Sequence, residues 1–465
     1  MIPPLLRIPP GRESGLARTP FRGAQSRALQ AIPMKRTLLI ALGSFSLFAT
    51  VPLFPGAVHA QAKADPHLQI PATDDGLPGA GPIRRYPWFS KLWQDRRGTW
   101  AQQVEKDQGA VVFLGDSITQ GWGEAMGGSF GPLKVANRGI SGDTTRGMLI
   151  RLQEDVLSLK PKAVVLLMGT NDLEEGATPE VIAGNLKLIL AALKAHNPDM
   201  PIVLCQVFPS SASKKRPADQ IKKINELYAA AVKGDPQVIL IETWTLFANP
   251  QGDSKVEEFP DLLHPNQAGY AKWATALRPI FATLGFSETE EDTFKAEAGF
   301  ESLFNGHDLT GWGFRTKEGV VLETFDGKAS SSDGRYEAIH GRIVVKTPPE
   351  GRKVAQLWTT REFTQNFVLR LEFRATPNAD SGVFIRKPQL QCRDYPLAGP
   401  YKDLKQYKPQ DWNAMEVTVK DGVAHCTCNG EVLEEALKLP ASGPVGLEGD
   451  RGQMEYRRIR LQTLP

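Results

Sequence analysis

The run Val111-Val112-Phe113-Leu114-Gly115-Asp116-Ser117 sets a serine hydroxyl immediately after an apolar, largely β-branched segment. Such a hydroxyl becomes a nucleophile when a base takes its proton, and serves as an ordinary helix N-cap when none does. A base stands much later, in Asp261-Leu262-Leu263-His264-Pro265-Asn266. Imidazole can accept the serine proton, and a carboxylate at its other ring nitrogen fixes the tautomer and stabilises the imidazolium. With Asp three residues before His, a single loop can present both groups; alone, the same text also reads as a helix start with a capping Asp. Acyl transfer would further need donors for a developing oxyanion. Gly142, in Gly139-Ile140-Ser141-Gly142-Asp143, can turn a backbone N–H inward, and Asn171, in Gly169-Thr170-Asn171-Asp172, can offer a side-chain amide. Each of these also reads as a turn with a helix cap, Asp143 before Thr144 and Asn171-Asp172 before an acidic stretch.

The elements that would carry these residues decide between the readings. Between about 106 and 286, short apolar runs alternate with longer segments of helical period, the pattern of a parallel sheet covered by helices. The strands expected are Ala110 to Leu114, Leu133 to Asn137, Ala163 to Met168, Ile202 to Phe208 and Val238 to Ile241, with helices near Thr144, Pro179, Ala218 and Asn266. In the last helix Tyr270, Trp273, Leu277 and Ile280 recur at three and four residues and form a core stripe. The chemical residues then fall, in order, at successive strand ends, where ligands bind in open α/β sheets.

In that order the blocks Gly115-Asp116-Ser117 with Thr119-Gln120-Gly121, Asn137 to Thr145, Gly169 to Asp172 and Asp261-x-x-His264 resemble the SGNH, or GDSL, hydrolases over the whole α/β region. The likeness is greatest to the branch holding the platelet-activating-factor acetylhydrolase catalytic subunits and bacterial carbohydrate esterases. It implies an α/β flavodoxin-like three-layer fold, Ser117 as nucleophile, His264 as base and Asp261 as its orienting group. It also implies an oxyanion hole made of the Ser117 backbone, Gly142 and the Asn171 side chain. No cofactor and no metal is implied, and the seven histidines show no ligand spacing.

The acidic stretch Ser287 to Thr293 has no apolar face and reads as part of a solvated linker over 287–298. Beyond it the period becomes two: Phe367, Leu369, Leu371 and Phe373 alternate with Val368, Arg370, Glu372 and Arg374, and Asp421-Gly422 and Asn429-Gly430 are hairpin signals. An all-β sandwich is expected over 299–465. Phe300 to Trp312, Asp380 to Arg386, Asp411-Trp412-Asn413 and Gly443 to Leu447 resemble a 3-keto-disaccharide hydrolase-type domain. That family has a concanavalin-like sandwich and binds or processes glycosides. Where it has Glu-x-Gln this chain reads Gln389-Leu390-Gln391, so the acid for glycoside cleavage is missing there. A binding role is favoured; Asp380, Glu372 and Asp394 are the acids of the bifunctional alternative. Trp312, Trp358 and Trp412 could stack on sugar rings or fill the core.

The remaining text bounds the setting. Residues 1–60 read as a leader with its true start at Met34: Lys35-Arg36, an apolar run to Val51, then cleavage after Ala60, giving a periplasmic or secreted product with no stable span after signal cleavage. Residues 61–105, rich in Pro and Gly from Pro71 to Pro87, read as a lead-in that orders on contact. The net charge is only +3 and its basic residues are scattered, which argues against nucleic acid. Cys205 reads as a buried thiol; Cys392 could pair with Cys426 or Cys428, or all three could be free. The expected function is an exported esterase that removes acetyl or other short acyl groups from carbohydrates or small esters. A lipase or lysophospholipase, and an esterase that also cleaves glycosides, are the alternatives. The sequence leaves the oligomeric state, the glycan and the acyl group open.

Overall fold

A computed structural model describes residues 66–290, 292–346 and 355–465, so the expected leader, with Met34 and Ala60, lies outside the described residues. Five parallel strands, β1 (Val111–Gly115), β2 (Val135–Gly139), β3 (Ala163–Leu167), β4 (Ile202–Cys205) and β5 (Val238–Ile241), form a sheet of order β2-β1-β3-β4-β5. Alternate side chains go to opposite faces. Val112, Leu114, Val164 and Leu166 pack under helices Pro179–His196 and Ala218–Val232, while Val111, Phe113, Val165 and Leu167 pack under Gln267–Thr283. Burial on both faces is why these strands read as unbroken apolar runs. The expected stripe is core: Trp273, Leu277 and Ile280 are buried, and Tyr270 packs beside them.

Two strand boundaries move for local reasons. The second strand starts at Val135 rather than Leu133 and ends at Gly139, paired with Gly115. Only glycine fits that end, because a Cβ on Gly139 would lie 2.3 Å from the Gln120 nitrogen. The fourth strand stops at Cys205 instead of Phe208, because the N–H and C=O of Val207 bond to the Asn225 side chain at 2.7 and 3.0 Å rather than to a strand.

The segment before residue 106 is more than a lead-in. It contains a helix, α1 (Pro87–Ala101), started by Pro87. Its buried face is Phe89, Trp93, Arg97 and Trp100, and Arg97 bonds Asp155 at 3.0 Å inside the α/β body. An arginine in the middle of the stripe breaks the apolar period that sequence reading relies on.

The C-terminal half is two antiparallel sheets around one core. In the larger, strands Glu431–Lys438, Val423–Cys428, Asn413–Lys420, Phe367–Ala375, Met454–Thr463, Arg342–Val345 and Tyr336–Ile339 lie in that order, with Glu301–Ser302 against Met454–Thr463. In the smaller the order is Gln389–Gln391, Gly382–Ile385, Val445–Leu447, Leu357–Thr359, Trp312–Arg315 and Val321–Thr324. The two hairpins turn at Asp421-Gly422 and Asn429-Gly430, all four residues with positive φ as type I′ geometry demands. Phe367, Leu369, Leu371 and Phe373 face the core; the alternation fails at Arg374, which is buried against Glu455.

The expected solvated linker is instead strapped to the sandwich. Glu288 pairs with Arg374 at 2.8 Å, Asp292 with Arg458 at 2.9 Å and Glu297 with Arg460 at 2.7 Å. Its acidity is matched by arginines on strands distant in sequence, which a local charge count does not see. All four cysteines are free and buried, including Cys392, Cys426 and Cys428. Among the described residues no helix is long and apolar enough to cross a membrane, and no cluster of three or more metal-ligating side chains occurs.

Candidate active site

At the carboxyl end of β1 the chain turns through Asp116 into a short helix that starts at Ser117. An Asp116 side-chain oxygen caps that helix by accepting from the Ile118 N–H at 2.9 Å. The order β2-β1-β3 makes this end a topological switch point, where the loops after β1 and β3 leave the sheet on opposite sides and open a crevice.

His264 arrives from the loop between β5 and the last helix. Its Nε2 lies 2.9 Å from Ser117 Oγ, and its Nδ1 lies 2.7 Å from Asp261 Oδ2. The other carboxylate oxygen, Oδ1, accepts the backbone N–H groups of Leu263 at 3.0 Å and His264 at 2.7 Å. Leu262, between them, has φ of 63°, and Ser210 fixes this turn by donating to the Leu262 carbonyl at 2.8 Å. Partial burial raises the Asp261 pKa, but the donors from His264 and Leu263 outweigh it and bring the group down to about 2. Asp261 is therefore a carboxylate over the whole working range.

The residues expected as oxyanion donors follow the carboxyl ends of β1, β2 and β3. Neither the Ser117 nor the Gly142 N–H has a protein acceptor among the described residues. Gly142 has φ of 89°, and a Cβ there would lie 2.8 Å from both Arg84 Nη1 and Trp88 Cη2, so the position admits only glycine. The Asn171 carboxamide is clamped: Oδ1 accepts from Arg216 Nη2 at 2.8 Å, and Nδ2 donates one hydrogen to the Asp143 carbonyl at 3.0 Å, leaving one N–H free. The structure thus links Ser117, His264 and Asp261 by hydrogen bonds and sets Gly142 and Asn171 just after β2 and β3, at the same carboxyl edge of the sheet.

Other parts of the same blocks are framework. Asp143 takes Arg151 Nε at 2.8 Å, and Asp172 holds the Thr145 backbone N–H at 3.0 Å. Sequence reasoning missed Arg84, Arg216, Glu174 and Asp116. Arg84 Nε bonds Glu175 at 2.8 Å, and Glu174 takes Arg84 and, at 2.8 Å, Arg216. These arginines come from segments with no period or motif; only the structure shows that they converge. Asp116 is buried with Oδ2 unpartnered, and burial pushes its carboxyl up to about 6.

In the sandwich, Trp312 is core, with its indole N–H donating to the Leu303 carbonyl at 2.7 Å. Trp412 sits between Arg374 and Arg457. Trp358 alone of the three lies on the outer face of the smaller sheet, flat over Gly446 and 5.0 Å from Phe384. Beside it Glu448 accepts from Gln356 and Gln389, both at 2.6 Å. The carboxylate looked for near Gln389 is thus supplied by a different strand. Of the acids singled out from the sequence, Asp380 pairs with Arg393, Glu372 with Arg457 and Arg458, and Asp394 is buried among Asn378, Tyr407 and Gln410, where burial raises it to about 6. None of the three belongs to the Trp358 face.

Two family models match the chain: the GDSL-like lipase/acylhydrolase family over residues 113–272 and a 3-keto-alpha-glucoside-1,2-lyase-like domain over residues 299–462. Among curated proteins, the platelet-activating factor acetylhydrolase IB subunit alpha2 of Homo sapiens is 29% identical over 207 residues, 43% of this chain and 87% of that protein. The alpha1 subunit of Pongo abelii is 29% identical over 199 residues, 41% of this chain and 84% of that protein. Among solved structures, a GDSL-like lipase from Bacteroides thetaiotaomicron is 25% identical, with a TM-score of 0.35, covering 41% of this chain and 95% of that one. The chain carries a GDSL-like lipase/acylhydrolase domain, of a family that hydrolyses esters, followed by a 3-keto-disaccharide hydrolase-like domain.

Proposed function

We propose that this protein is an exported serine esterase that removes acetyl or other short acyl groups from carbohydrate, and that its sandwich binds the glycan. The observation that carries the reading is the relay Asp261–His264–Ser117, at 2.7 and 2.9 Å; the N–H groups of Ser117 and Gly142 and the Asn171 amide are the donors assigned to the oxyanion. In that arrangement His264 Nε2 takes the hydroxyl proton as Ser117 Oγ attacks the ester carbonyl. The oxygen of the tetrahedral intermediate takes its charge toward the three donors. His264 then gives the proton to the leaving alkoxide, the sugar hydroxyl departs, and Ser117 holds the acyl group. A water activated by the same imidazole repeats the sequence, releasing the carboxylic acid and restoring Ser117.

The relatives are named acetylhydrolases, which supports a short acyl group, and the sandwich's resemblance to a glycoside-acting domain supports a sugar as the alcohol. Trp358 with Glu448, Gln356 and Gln389 gives that sandwich an aromatic surface edged by hydroxyl-binding groups, as sugar sites require. The leader-like sequence from Met34 to Ala60 supports export. The test is acetate release from p-nitrophenyl acetate and from acetylated xylan by the mature protein and by Ser117→Ala. Release by the wild type alone supports the reading. Equal rates for both proteins remove Ser117 from the chemistry, and a preference for long-chain lipid esters over both substrates turns the assignment to a lipase.

A further inference from the structure

Beside Gly142 stands a pair of aromatic side chains that folding has left uncovered. Tyr86 is 49% and Trp88 53% exposed, and their rings stack 6.4 Å apart at an interplanar angle of 10°. Large aromatics are normally covered by the fold, and the neighbouring Phe89 and Trp93 are. Pro87, at the start of α1, fixes the backbone between the two, and Phe89 packs edge-on against Trp88 at 5.6 Å. The platform is therefore preorganised on a helix end and is not a loose surface feature.

Its place relates it to the chemistry. Trp88 touches Gly142 closely enough that a Cβ there would meet Cη2 at 2.8 Å, so the indole borders the backbone N–H expected to face the oxyanion. Around it stand Arg84, Glu174 and Glu175, and the Tyr86 hydroxyl donates to Glu175 at 3.3 Å. A long acyl chain would need apolar walls beyond the platform, whereas charged groups edge it here. A pyranose ring suits both parts, with its C–H face on the indole and its hydroxyls toward the carboxylates and guanidinium.

We propose that Trp88 and Tyr86 form the subsite for the sugar ring bearing the scissile ester, which makes them specificity-determining residues supplied from outside the four hydrolase blocks. This rests on the esterase reading and deepens it. The measurement is kcat/KM for an acetylated xylo-oligosaccharide and for ethyl acetate, which has no ring, in the wild type and in Trp88→Ala, Trp88→Phe and Tyr86→Ala, with the thermal midpoint of each checked.

In Trp88→Ala the ratio of kcat/KM for the oligosaccharide to that for ethyl acetate should fall about tenfold, mainly through KM. Trp88→Phe should recover most of the loss, and Tyr86→Ala should show a smaller fall. An unchanged ratio overturns the proposal, because Trp88 would then act only by wedging Gly142 in place. Wild type that cleaves ethyl acetate but not the oligosaccharide overturns the sugar subsite and leaves the esterase standing. Wild type that cleaves neither overturns both readings.

Discussion

Replacing Asp261 by Asn tests the relay with almost no change of shape. The amide can keep one oxygen where Oδ1 now accepts the N–H groups of Leu263 and His264, at 3.0 and 2.7 Å. Its NH2 then replaces Oδ2 opposite His264 Nδ1. Two donors cannot face each other, so Nδ1 must become the acceptor and the ring proton moves to Nε2, where it points at Ser117 and cannot take the hydroxyl proton. Flipping the amide would restore the tautomer but would set NH2 against two backbone N–H groups. That forfeits two hydrogen bonds of about 1 kcal/mol net each, whereas changing tautomer only reverses the bond to Ser117, whose Oγ then accepts from Nε2–H. The wrong tautomer wins. The expected loss of kcat on p-nitrophenyl acetate is about 10⁴-fold, the size known for this substitution in another serine hydrolase, or about 5.5 kcal/mol of barrier. The thermal midpoint should change little, because the turn keeps both backbone bonds. A folded Asp261→Asn protein within tenfold of wild-type kcat would refute the reasoning and leave His264 oriented by something else.

Asn171→Ala removes one oxyanion donor and should lower kcat about 10²- to 10³-fold with KM nearly constant; a loss below threefold in steady-state assays would leave the hole to the two backbone donors. Asp116 is raised from the usual 3.8 to about 6, so folding favours its protonated form; that stability is complete below 3.8 and is lost as pH rises through 6. Asp116→Asn abolishes this dependence, so in urea unfolding the variant should gain on wild type by up to about 3 kcal/mol between pH 4 and 7, and parallel curves would contradict the assignment. Arg374→Met strips the buried Glu455 of one of its two guanidinium partners, leaving Arg342 at 3.0 Å, and should cost about 3 kcal/mol in urea unfolding; a loss under about 1 kcal/mol would mean that the network relaxes. Trp358→Ala should weaken retention of the protein on an insoluble acetylated glycan about tenfold, and unchanged retention would place glycan binding elsewhere.

The reach of the sequence depended on whether a signal was local. Strands such as Ala163–Leu167 are buried on both faces and announce themselves as apolar runs, and Asn429-Gly430 dictates its turn by its own backbone preference. The candidate site was legible for a related reason: Ser117, Gly142 and Asn171 sit just after strands end and His264 just before a helix begins, so fold and site are read from the same punctuation. What stayed hidden is held by pairing across distance. Arg97 looks like a polar interruption until Asp155 is beside it, and the acidic stretch with Glu288 and Asp292 looks solvated until Arg374 and Arg458 face it. Glu448 was missed because the lost acid was sought two residues from Gln391, while a sheet brings in the neighbouring strand instead.

Arg216 joins the hidden layer to the chemistry. Its guanidinium fixes the oxygen of the Asn171 carboxamide and polarises it, which makes the remaining N–H a stronger donor toward an anion. Glu174 accepts from the same Nη2 at 2.8 Å, so the cation is neutralised by a carboxylate while its polarising contact to Asn171 stays in place. Arg84 shares Glu174 and presses on Gly142, so one carboxylate ties together the supports of two of the three proposed oxyanion donors. An oxyanion stabilises best where its donors need not reorganise as charge develops. The buried arginines, more than the exposed relay, are what hold those donors still.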